Sequence, residues 1–195
     1  MTLAGALGDV LLDLDSYEQP ATDAQVAAAV LVALYEDNRG ELRVVLTKRR
    51  ADLRRHAGEI SFPGGRRDLQ DSSLSETALR EAEEEIGLPR ADVELMGALE
   101  RTSTFATNYA IHPYVGLLSG SRPWLASEVE VESVLEPSLR AIGAGATRTR
   151  MQRRGIAFET DAYVFEGELV WGATARILED LLKRTGALLD RRAIG

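Results

Sequence analysis

Residues 26–35 read VAAAVLVALY, an unbroken apolar run. A strand with one solvated face alternates apolar and polar side chains, so a run without polar interruption describes a strand buried on both faces. It is about half the roughly 20 residues that a membrane-spanning helix needs. The turn-like Asp37-Asn38-Arg39-Gly40 follows, and then a second strand-like stretch from Leu42 to Thr47. The pattern predicts a hairpin whose first strand lies in the core.

Around this hairpin, strands and helices alternate without an internal repeat or a low-complexity linker, which predicts one mixed α/β (α+β) domain over residues 1–195. Leu3, Leu7, Val10, Leu11 and Leu14 have helical spacing and Pro20 closes their segment, so residues 1–24 read as an N-terminal helical extension with a helix over 3–14. Residues 49–72 read as a long irregular stretch, too polar for core. Strands are expected at 93–99, 110–118, 129–134 and 155–165, and a final amphipathic helix at 173–183, with Ile177, Leu178, Leu181 and Leu182 on one stripe.

Composition narrows the class of function. A formal charge of −8 argues against general nucleic-acid or anionic-membrane binding. With no cysteine, disulfides, thiolate metal sites and thiol nucleophiles are excluded together. The opening MTLAGALGDVLLDLD lacks a basic leader and turns acidic within nine residues, so a cytoplasmic location is expected.

Ser73 and Glu76 have capping-box spacing, and Gly87 with Pro89 marks a stop, which predicts a helix between them. At about 100° per residue, Arg80, Glu81, Glu84 and Glu85 share an arc of roughly 140°, opposite Ser75, Ala78, Leu79, Ala82 and Ile86. Glu81 and Glu85 are like charges one turn apart and lie towards the helix C-terminus, where negative charge is disfavoured. Arg80 can pair with Glu84 but leaves an excess of negative charge, for which a hard divalent cation, Mg²⁺ or Mn²⁺, is the fitting partner. Glu83, on the flank of the arc, reads as solvated. Ahead of the helix, Phe62-Pro63-Gly64-Gly65 couples a rigid turn to two glycines that let backbone approach a ligand.

Residues 65–88 resemble the Nudix box: a Gly, five residues, a Glu, seven residues, then REUXEEXGU. The second half is complete as Arg80-Glu81-Ala82-Glu83-Glu84-Glu85-Ile86-Gly87-Leu88. In the first half, Asp71 stands where the box has Glu, and eight residues rather than seven precede Arg80. Upstream, VLTKRRADLRRHAGEISFPGG at 45–65 is similar to the signature of the coenzyme A pyrophosphatase branch, matching at Thr47, Arg49, Arg54, Gly58 and 62–65; Val45 replaces a Leu and Arg50 a small residue. WGATARIL at 171–178 resembles that branch's C-terminal helix.

The resemblance implies a Nudix fold, a mixed β-sheet sandwiched between helices, and metal-dependent hydrolysis of coenzyme A to 3′,5′-adenosine diphosphate and 4′-phosphopantetheine. On that reading Glu81, Glu84, Glu85 and the Gly65 carbonyl hold Mg²⁺ or Mn²⁺, and Arg80 orients the glutamates. Arg49, Arg54, His56 and Phe62 contact substrate. The general base stays open among a ligand-shell glutamate, Glu59, Glu128 and Glu130. Seven basic residues against two acidic over 48–67, then ten acidic against two basic over 68–100, suit a polyphosphate bridged by metal to carboxylates. Arg50, Arg55 and Arg67 read as surface charges and His112 as structural. Competing readings are the same chemistry on ADP-ribose, NADH or a nucleoside triphosphate, a nucleotide-binding regulator without catalysis, and an RNA-end processing enzyme. A homodimer is compatible with all of them.

Overall fold

The computed structural model describes residues 2–17, 25–53, 57–104, 108–153 and 156–192. Among them the apolar run forms β1 (Val26–Glu36), the centre of a six-stranded mixed sheet. It pairs antiparallel with β2 (Leu42–Val44), closing the expected hairpin with Leu34 opposite Val44. Beyond the hairpin, β3 (Leu46–Arg49) and β4 (Ile60–Ser61) belong to a second sheet, and β5 (Gly64–Arg66) returns to β1, with Gly65 opposite Ala29. After helix α3 (Leu74–Ile86) come β6 (Glu94–Ala98), β7 (Thr102–Ser103) and β8 (Tyr109–Leu117). β8 lies parallel to β1 and antiparallel to β6 and β7.

The period of two along β1 separates two cores. Ala29, Leu31, Ala33 and Tyr35 face α3 and pack with its Leu74, Ala78, Ala82 and Ile86. The small side chains at 29, 33, 78 and 82 suit the close seating of helix on strand. Val32 and Leu34 face the other way, into a core closed by α4 (Leu139–Ala144) and α5 (Gly172–Arg192). The sheet is therefore sandwiched between helices, as the Nudix resemblance implies. β9 (Val131–Leu135) completes the β3–β4 sheet. β10 (Ala146–Arg153), β11 (Ile156–Phe165) and β12 (Glu168–Trp171) form a separate three-stranded sheet. None of the described helices is long and apolar enough to cross a membrane.

Three expectations are corrected. The 3–14 helix is instead α1 (Leu3–Gly8) and α2 (Leu14–Tyr17), with Leu12 between them bridged to Ala98 at the edge of β6. Ala6 and Leu7 enter one core while Leu12, Leu14 and Tyr17 pack on the other, so this segment straps an otherwise open strand edge. Residues 49–72 are not wholly irregular: β4 and β5 lie there, and Ile60 and Phe62 are core. The last helix runs on to Arg192, because Thr185 satisfies its buried hydroxyl on the Leu181 carbonyl and Leu188 continues the apolar stripe.

Candidate active site

Both ends of α3 are fixed by local chemistry. The Ser73 hydroxyl accepts from the Glu76 N–H at 3.0 Å, and the Glu76 carboxylate reaches back to the Ser72 N–H at 2.8 Å. At the other end Gly87, left-handed at φ 65°, donates to the Glu83 carbonyl, the bond of a left-handed terminating turn, and Leu88 donates to that of Ala82. Two of the remaining terminal carbonyls are taken from outside the helix. Leu125 N–H donates to Ile86 O at 3.1 Å and Ser127 N–H to Glu85 O at 2.8 Å. The loop ahead of β9 is thereby anchored to the carboxylate-bearing end of α3.

Arg80 is the hub of the acidic face. Its Nε and Nη2 donate to the two oxygens of Asp71 at 2.9 and 3.1 Å, Nη2 also to Glu81 at 3.0 Å and to the Arg66 carbonyl at 3.2 Å, and Nη1 to Glu84 at 3.1 Å. The Asp71 side chain is 4% exposed. It also accepts from the Thr77 hydroxyl at 2.8 Å and from the Asp68 N–H at 2.9 Å. The bonds from Arg80, with those from Asp68 and Thr77, hold the Asp71 carboxyl down at about 2 against the cost of burial. Asp71 likewise raises Arg80. The acid that departs from the box motif is thus the anchor of Arg80. Ahead of Asp71 a turn is closed by Asp71 N–H on Asp68 O, and the Arg67 guanidinium donates to the carbonyls of Asp71 and Ser72.

Glu81 and Glu85 face the glycines of β5. A Cβ on Gly65 would stand 2.4 Å from the Glu81 carboxylate oxygen, and one on Gly64 would meet the β1 backbone at Ala29 O, also 2.4 Å away. The Gly64 backbone lies near enough to Glu85 to ease its charge. Burial first, then the charges of Glu81 and Glu130, pushes the Glu85 carboxyl up to about 8, with only partial relief from Gly64 and Arg49. Burial also raises Glu81, with Arg80 opposing and Glu84 and Glu130 adding. On the expectation that Glu81 holds the metal of a hydrolase, Gly65→Ala should displace it and lower turnover by about 100-fold, the scale of a mispositioned catalytic group. Far-UV circular dichroism should be unchanged, and parallel assays of both proteins check the loss.

These carboxylates fit a hard divalent cation in donor type and in unbalanced charge. Among the described residues, no three acidic or histidine side chains converge as a ready-made metal cage. Glu81 and Glu84 are engaged by Arg80, and Glu130 by Arg49 at 2.9 Å. Arg49 comes near enough to Glu85 to act on its charge.

Other expected site residues lie elsewhere. Phe62 is 2% exposed and packs in the core opposite α3, because the alternation of β4 turns Ile60 and Phe62 inward together; its place is core, not a ligand surface. Arg54 and His56 lie outside the described residues. Glu83 pairs with Arg90 at 3.1 Å and His112 is buried in the sheet. Arg50 pairs with Asp52 and lines an open groove with Glu128, Val131 and Glu132, whose acidic walls do not suit a phosphate. Asp71 was signalled by its box spacing. The approach of Glu130 to the α3 carboxylates had no local signal, since Glu130 and Arg49 are 81 residues apart in sequence.

Comparisons with known proteins bear on the fold and the family. The NUDIX domain family model matches residues 25–138. A protein of Salmonella paratyphi B named uncharacterized Nudix hydrolase NudL is 38% identical over 164 residues, covering 83% of this chain and 84% of the relative. Its Salmonella newport counterpart gives the same figures. Among solved structures, a MutT/nudix family protein from Enterococcus faecalis superposes with TM-score 0.58 at 17% identity, covering 96% of this chain and 70% of that one. The NUDIX domain of Shewanella oneidensis NrtR, complexed with ADP ribose, gives 0.56 at 18% identity, covering 97% and 99%.

Proposed function

The chain belongs to the Nudix family and is a Nudix hydrolase, and from that premise we propose that it cleaves the diphosphate of coenzyme A or a coenzyme A derivative. The products would be 3′,5′-adenosine diphosphate and 4′-phosphopantetheine. One observation carries the reading. Of the 45–65 motif, the Gly64-Gly65 pair of β5 lies against Glu85 and Glu81, and Arg49 at the end of β3 acts on the charge of Glu85.

In this reading Glu81, Glu84 and Glu85, with the Gly65 carbonyl, hold Mg²⁺ or Mn²⁺. A divalent ion there supplies charge neutralisation on the diphosphate and a more acidic attacking water. Arg80, fixed by Asp71, sets the carboxylates of Glu81 and Glu84. Arg49 supplies a guanidinium for a phosphate oxygen, and the α3 backbone, capped by Leu125 and Ser127, keeps the acidic face in place. Glu130 is the later-loop carboxylate whose charge acts on both Glu81 and Glu85.

Purified protein incubated with coenzyme A, ADP-ribose and NADH in parallel, with Mn²⁺ or with chelator, tests the proposal by product analysis. The expected outcome is 3′,5′-adenosine diphosphate from coenzyme A, abolished by chelator. Preferential turnover of ADP-ribose or NADH would move the substrate assignment to that nucleotide; binding of all three without turnover would favour a regulator.

A further inference from the structure

Arg49 and Glu130 bond to each other at 2.9 Å, although each is wanted by a different half of a metal–diphosphate complex. Glu130 lies close enough to Glu81 and Glu85 to act on both, and Arg49 acts on Glu85, so the pair stands beside the acidic end of α3. The backbone around Glu130 is fixed. Arg50 N–H donates to Glu130 O at 3.0 Å, Glu130 and Val131 N–H donate to Ser127 O at 3.1 and 2.9 Å, and Ser127 is tied to Glu85 O. The two side chains are not fixed in the same way, being 35% and 47% exposed. An exchange of partners therefore asks for side-chain rotation alone.

Each side chain has a stronger partner available when the site is filled. An exposed ion pair is weak and screened, whereas a guanidinium binds a phosphate through two parallel charge-assisted bonds. Glu130, once released, faces the carboxyl groups of Glu81 and Glu85, and a divalent cation among them attracts all three as carboxylates. We propose that Arg49 and Glu130 form a displaceable latch, in which a substrate phosphate takes Arg49 and so releases Glu130 to the cation held by the α3 carboxylates. Anion and cation binding are then coupled through one side-chain exchange, and Glu130 joins the site only when substrate is present. The inference rests on the reading of the site as a metal-dependent diphosphate hydrolase.

Two binding measurements on the full chain test it without relying on turnover. In chelator, titration calorimetry with inorganic pyrophosphate should show Glu130→Ala binding about threefold to fivefold tighter than wild type, the scale of an exposed ion pair. In an Arg49→Ala background the same change should have no effect. With Mn²⁺ alone, followed by electron paramagnetic resonance, Arg49→Ala should tighten binding by a similar factor, and not at all when Glu130 is already Ala. A generic charge effect would act equally in both backgrounds, and that additivity overturns the latch while leaving the hydrolase reading intact. If wild type binds neither pyrophosphate nor Mn²⁺, the reading of the site fails and the latch with it.

Discussion

Glu85→Gln is expected to reduce metal-dependent turnover by at least about 100-fold, the scale of losing one charge-stabilising group in a closed site, and to make the metal-free protein more stable at pH 8. The two effects share one cause. Burial beside Glu81 and Glu130 lifts the Glu85 carboxyl from an ordinary 4.5 to about 8. Between those values the folded chain holds a proton that the unfolded chain has lost, so the folded state binds more protons and stability falls as pH rises. The contribution is fully present below 4.5 and gone above 8. Glutamine has no charge to desolvate, so the variant should lack this decline and gain a few kcal/mol over wild type at pH 8. Urea unfolding in chelator at pH 5 and pH 8 measures it. Equal pH dependence in the two proteins would show that Glu85 is not strained by its surroundings. Mn²⁺ should stabilise wild type at pH 8 and Glu85→Gln much less, since a ligand stabilises only the state that binds it. A group that costs stability in the empty site and is needed in the filled one is the expected mark of a functional carboxylate.

What could be read from the sequence was what is encoded locally. The α3 boundaries followed from Ser73 and Gly87, because a cap and a left-handed terminator act within a few residues of the bonds they make. β1 followed from its unbroken apolar run. β10 did not, because TRTRMQR is exposed along much of its length and carries no buried period; its pairing with β11 sets its conformation. The break between α1 and α2 was likewise invisible, since the bridge from Leu12 to Ala98 depends on a strand edge 86 positions further along. Phe62 was misplaced for the opposite reason. Its motif neighbours Gly64 and Gly65 do line the site, and adjacency in sequence hid the alternation that turns Phe62 into the other core. The carboxylates of α3 were legible as a set, and with them the Arg80–Glu84 pair, while the partners brought in from other segments were not. Asp71 reaches Arg80 across a turn, and Glu130 reaches Arg49 across 81 positions of chain.

Asp71→Asn should be the most damaging single change in the acidic site to the fold itself. The substitution keeps shape and leaves an acceptor for Thr77 or Asp68, but it removes the charge that takes two of the Arg80 bonds. Breaking a buried ion pair by neutralising one partner costs about 3–5 kcal/mol, and the low end applies because Arg80 keeps Glu81, Glu84 and the Arg66 carbonyl. The acid limb gives a second, independent reading. The Asp71 carboxyl is held at about 2 against an ordinary 3.8, so its stabilisation is present above 3.8 and is lost as pH falls through 2; the variant should lose no stability from this group in that window. The consequence for the site follows from where Arg80 turns next. Freed from Asp71, its guanidinium has only Glu81 and Glu84 as carboxylate partners, and it should compete for them more strongly against a cation. Mn²⁺ affinity of Asp71→Asn, measured below its unfolding temperature, should therefore drop, although Asp71 contacts none of the expected metal ligands in the bonds described above. Unchanged Mn²⁺ affinity with reduced stability would confine Asp71 to the fold. A fall in both would make it the residue that keeps Arg80 from occupying the cation's place.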